Sequence, residues 1–149
     1  MNFKSAFKDI VKAMTNLEGL PANPELTPLN PESIREPRWI GVFWTPAYTA
    51  GGSDETQDFE PGDYHWTHDA SSVAKITIRV QARPRPTEEH VQYTLMDLVE
   101  TVRTALRKLA LTAAENDFTC SIVAIAPFVP EDASWGMVRI IVAVGAFQD

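Results

Sequence analysis

The stretch that decides the fold runs from Lys75 to Leu111, KITIRVQARPRPTEEHVQYTLMDLVETVRTALRKLAL. Its first part alternates strictly. Ile76, Ile78, Val80 and Ala82 fall on one side and Lys75, Thr77, Arg79, Gln81 and Arg83 on the other, as in a strand with one buried face. Beyond the break at Pro84 and Pro86 the period lengthens to about 3.6, and Val91, Leu95, Leu98, Val99, Val102, Leu106 and Leu109 make one apolar stripe of a helix. Burying those side chains is worth on the order of 10 to 20 kcal/mol gross, whereas an isolated helix of this length is marginal in water. The helix must therefore lie on a sheet, and the rest of the chain must supply or cover that sheet.

With 149 residues, 44% of them hydrophobic, the chain has the size of a single domain, residues 1–149, whose core folds without staples. A net charge of -7 argues against a surface that holds nucleic acid by neutralising phosphates, so sequence-specific DNA or RNA binding is not expected. The single cysteine, Cys120, lies in an apolar run and reads as a small buried hydrophobe rather than a reactive thiol. No apolar run reaches membrane-spanning length, and the amino terminus lacks the apolar block of a signal peptide, which predicts a protein that stays where it is made.

Around the central stretch, Phe3, Ala6, Phe7, Ile10, Val11, Met14 and Leu17 recur at helical spacing, and Gly19 with Leu20 reads as a left-handed helix end. Residues 1–19 are thus an N-terminal helical segment, the helix itself running from about Phe3 to Glu18. Lys4, Lys8 and Lys12 line its other face, an ordinary solvated strip or a dock for an acidic partner. Residues 20–37 carry five prolines and no periodicity, which predicts an extended connector over the surface. Residues 38–149 form the α/β core. Arg38 to Tyr48 is aromatic and β-branched and reads as the first strand, with both faces covered or one meeting another subunit.

Thr119 to Val129 and Trp135 to Phe147 are two further strands joined by the polar turn PEDAS. Both faces of the third strand are apolar, which predicts a central position in the sheet. In the fourth, Val138, Ile140, Val142 and Val144 mark one face, and Trp135, Met137, Arg139, Ile141 and Ala143 a second that is only partly polar. That second face requires cover by the first helix or by a neighbouring subunit. The expected fold is α+β: one four-stranded, mostly antiparallel sheet in the order α-β-β-α-β-β, with the long helix on one face. Thr87 is placed to cap that helix, with Glu88 and Glu89 in its first turn, and Arg103, Arg107 and Lys108 near its far end complement the dipole.

Between the first two strands lies a long acidic loop with Asp54, Glu55, Asp58, Glu60, Asp63 and Asp69, and no lysine or arginine occurs from Trp39 to Ala74. Such carboxylates repel one another unless they face water, a cation or a basic partner. His65, His68 and Asp69, with Asp58 and Asp63 nearby, are the best metal-like cluster, short of the four ligands of a structural zinc site. His90 reads as a surface residue. There is no GxSxG elbow, phosphate-cradling loop or dinucleotide fingerprint, so no enzyme and no cofactor are expected.

The order helix, strand, long loop, strand, helix, hairpin resembles the tail terminator proteins of long-tailed bacteriophages and, more widely, the small neck and tail-completion proteins that share their α/β fold. The likeness is carried by KITIRVQARPR running into VQYTLMDLVETVRTALRKL, and by the closing hairpin with SWGMVRIIVAVGAF. The resemblance implies a structural virion protein: a hexameric ring, assembled in the host cytoplasm, that stops growth of the tail tube and presents a surface to the head connector. Its implied partners are copies of itself, the tail tube protein and the head–tail connector protein, with DNA passing through the lumen. The family has no catalytic residues to carry over.

A cyclic assembly needs two different complementary patches on each subunit. Arg79, Arg83 and Arg139 on the outward sheet face, with Trp135 and Met137, are candidates for one. Asp54, Glu55, Asp58, Glu60 and Asp63 are candidates for its complement or for the pore wall. The alternatives are another neck or tail adaptor, a stand-alone binding module whose acidic loop takes a basic protein, and a small metal-dependent enzyme built on His65 and His68.

Overall fold

In the computed structural model, residues 3–44, 73–113 and 118–146 are described. Helix α1 spans Phe3–Ala13, strand β1 Arg38–Trp44, β2 Val73–Ala82, helix α2 Val91–Ala113, β3 Phe118–Phe128 and β4 Gly136–Ala146. The strands form one sheet in the order β1-β2-β4-β3, each neighbouring pair antiparallel. The alternation in the central stretch is realised as read. Ile76, Ile78, Val80 and Ala82 are buried in one core with Ile40, Val42, Val138, Ile140, Val142 and Val144, beneath Val91, Leu95, Leu98, Val102 and Leu106 of α2. Helix α1 joins the same layer through Ala6, Ile10 and Met14.

The helix ends differ from the sequence reading. Helix α1 stops at Ala13, and Asn16 takes the left-handed conformation (φ 58°) that ends the helical run. Gly19 is also left-handed (φ 80°), but in a following turn in which Leu20 N–H donates to Leu17 O. Helix α2 begins at Val91, not at Thr87. His90 stands just before it, its Nδ1 accepting from the Gln92 N–H at 3.2 Å, so an imidazole does the capping expected of a threonine. Glu88 lies outside the helix and holds Arg38 at 2.6 Å. Because α2 continues to Ala113, its last turn carries no basic residue. Arg103, Arg107 and Lys108 therefore sit too far back for the dipole, whose influence is confined to the final turn.

The third strand is not central. It is the sheet's edge, and β2 and β4 occupy the middle. A bulge accounts for the third strand's two apolar faces. Ile122 pairs with Val142 and Ala124 with Ile141, leaving Val123 as the extra residue. A bulge shifts side-chain parity, so Ile122 and Ile125, three apart, both stand opposite core residues of β4. Apolar residues at both parities arise from that shift rather than from burial on two faces.

Part of the second sheet face, over β1 and β2, is covered by the connector rather than by the first helix or a neighbouring subunit. Residue Glu25 lies along the outer edge of β1, its N–H donating to Ile40 O and its carbonyl accepting from Val42 N–H, both at 2.9 Å. A single 3-10 turn at Pro31–Ser33 follows, opened by Asn30, whose Oδ1 accepts from Glu32 N–H. Ile34 then packs into a small second core with Trp39 and Phe43. Both faces of β1 are thus covered within the chain.

Candidate functional site

The residues expected to form an outward basic patch are largely engaged within the subunit. Arg79 is only 8% exposed. Its Nη2 donates to Leu29 O at 2.6 Å, and its guanidinium stacks on Trp39. Gln81 Nε2 donates to Pro31 O, and Arg83 donates from Nε to Ile34 O and from Nη2 to Glu32 O. The outer face of β2 is therefore a ladder of side-chain donors reaching carbonyls of a proline-rich segment. That pairing suits both sides, because such a segment is short of N–H groups but keeps every carbonyl. Arg139 stands beside Arg79 in the register of β2 and β4 and is half-buried. Trp135 is buried and tilts against Phe128 with ring centres 5.6 Å apart, while Met137 is half-buried. With Thr77 and Ile141 also buried, much of the second face, expected to need the first helix or a neighbouring subunit as cover, is already buried without a second copy.

Asp54, Glu55, Asp58, Glu60, Asp63, His65, His68 and Asp69 lie outside the described residues. Among the described residues no group of three His, Cys, Asp or Glu side chains is placed to hold a metal, and no helix is long and apolar enough to cross a membrane.

What the described residues leave open is the outer edge of β3. Phe118 to Val129 contains no charged residue, and Val123, Ile125 and Phe128 are 50%, 41% and 50% exposed. Among the described residues no strand pairs with that edge. A long edge strand without lysine or an inward charge is a template for pairing with another chain. The opposite edge, β1, is occupied at Gly41 by the Glu25 bridge.

Comparison with family models, characterised proteins and solved structures finds no match to this chain.

One flank of α2 runs alongside the open edge. Met96, Arg103 and Arg107, seven and four residues apart, share a helical stripe. Arg103 and Arg107, with Leu106, line a cleft of about 170 Å³ whose other wall includes Cys120, Ser121 and Ile122 of β3. Arg103 has only an exposed contact to Glu100 at 3.4 Å, the kind of pair that contributes little. Met96 is 59% exposed. The edge thus joins an apolar strand to a basic, partly apolar helix flank. Cys120 lines the cleft half-buried, and burial pushes its thiol pKa up, which favours the protonated form. The sequence held the signal for this site in the uncharged run from Phe118 to Val129, but the bulge made it read as core.

Proposed function

We propose that the chain is a structural virion subunit, a ring-forming tail terminator that caps the tail tube and joins it to the head connector. The observation that supports this reading is the open β3 edge: eleven residues without a charge, presenting Val123, Ile125 and Phe128 to water at the only sheet edge left bare among the described residues. Such a surface is a liability for a solitary subunit and an asset for an assembling one. A ring needs a second, unlike surface to meet it, and the stretch Asp54, Glu55, Asp58, Glu60 and Asp63 offers concentrated opposite charge to the basic flank of α2, or a negative wall for a pore.

Electron microscopy of the purified protein mixed with tail tubes tests the proposal. The expected result is a six-membered particle seated on one end of the tube and an end to tube growth. A protein that leaves tube ends bare and tube length unregulated is not a terminator. Particles lodged instead at the connector or elsewhere along the tail would favour the second reading, another neck or tail adaptor, which the same open edge supports.

A further inference from the structure

We infer that the free edge of β3, with Arg103 and Arg107 on the adjoining flank of α2, is the receptor surface for the acidic stretch 54–63 of a second copy of this chain. This deepens the ring reading, on which it rests, by naming which surfaces of two copies meet.

Three observations carry it. The edge offers a strand with no pairing partner among the described residues and no charge to repel one. The two arginines beside it have no dipole role, since α2 continues to Ala113, and neither is held by a buried carboxylate. The chain itself carries Asp54, Glu55, Asp58, Glu60 and Asp63 within ten residues and no lysine or arginine from Trp39 to Ala74. Direct pairing of β3 with β3 of another copy is disfavoured on the same evidence. Antiparallel edges would bring two α2 flanks, each with Arg103 and Arg107, to one joint with no acidic partner between them. An edge that meets the acidic stretch of the next copy joins unlike surfaces, the contact a closed ring requires.

A charge-reversal pair tests this against folding back within one chain. In one variant Arg103→Glu and Arg107→Glu reverse the flank; in the other Asp54, Glu55, Asp58, Glu60 and Asp63 are all changed to lysine. The flank variant is expected to keep the melting temperature of the parent, because Arg103 and Arg107 are exposed, and the melting temperature of each variant is measured before assembly is scored. Sedimentation and microscopy are expected to show that neither assembles alone, that an equimolar mixture of the two does, and that one chain carrying both sets does also. Restoration in the doubly reversed chain but not in the mixture places the contact within a single chain and overturns the inference. Unchanged assembly of the Arg103→Glu, Arg107→Glu variant overturns it as well.

A second measurement needs no assembly. A labelled synthetic peptide spanning Ser53 to Asp63 is titrated with the intact protein at low salt and followed by anisotropy. The flank reversal is expected to weaken binding at least tenfold, and added salt to weaken it progressively. Equal binding to parent and variant refutes the inference. Peptide binding that obeys the expectation while tail tubes stay uncapped leaves the contact standing and removes the terminator role.

Discussion

The guanidinium carbon of Arg79 lies 4.5 Å from the centre of the Trp39 ring, while its Nη2 holds the Leu29 carbonyl at 2.6 Å. One side chain in the middle of the sheet thus joins β2, β1 and the connector. Arg79→Ala would leave a carbonyl without its charged donor and an aromatic face without its cation. Together these losses amount to about 2 kcal/mol. Chemical denaturation should show a fall of that size, and Arg79→Lys should recover only part of it, because an ammonium lacks the planar fork that stacks and donates at once. A variant as stable as the parent would mean that the connector is held by something else.

Gly41 shares the small core above β1. A Cβ added there would meet Phe43 Cζ at 2.3 Å and Trp39 Cη2 at 2.5 Å, so both rings would have to move. They are confined by Ile34 and by Arg79, which lies within 5.5 Å of the Phe43 ring centre as well. Gly41→Ala should therefore cost about 1 to 3 kcal/mol. The near-ultraviolet circular dichroism of the tryptophans should change along with the melting temperature. An unaltered spectrum and melt would show that the rings are free to swing aside.

These two positions mark the limit of what the sequence discloses. The core face of β2 and the stripe of α2 follow from side-chain period alone, and Ile76 through Ala82 and Val91 through Leu106 lie where the period puts them. The connector's role does not. No pattern in residues 20–37 says that Leu29, Pro31, Glu32 and Ile34 carbonyls face Arg79, Gln81 and Arg83, because carbonyls are identical in every residue and the contacts span about fifty positions. The bulge at Val123 was hidden for a related reason. One added residue changes parity without changing composition, so an edge strand took on the appearance of a central one.

Cys120 gives a prediction in pH. Burial raises its pKa above the ordinary 9.0, so the folded chain holds the thiol neutral where the unfolded chain has begun to ionise it. The sign follows from linkage. Below the ordinary value both states carry the proton and the thiol adds no pH dependence; above it the unfolded state loses the proton first, and stability falls as pH rises towards the folded value. The stability difference between parent and Cys120→Ala should be constant at neutral pH and shift against the parent above pH 9.0. Alkylation of the native protein at pH 8 should run slower than that of the unfolded chain. Equal rates would place the thiol in open water.

The edge itself makes the sharpest demand. Val123 is the bulged residue of β3 and 50% exposed, so Val123→Glu removes little buried surface and should change stability by no more than about 0.5 kcal/mol. The same glutamate puts a charge on an edge that has none, a device by which edge strands avoid pairing, and it repels an acidic partner. On the ring reading, self-association and capping of tail tubes should both be lost in this variant, with the melting curve unmoved. Val123→Thr, which keeps the branched shape without the charge, should behave as the parent does. If the glutamate variant assembles like the parent, the open edge of β3 is not where copies of this chain meet, and the case for a ring would have to rest on a different surface.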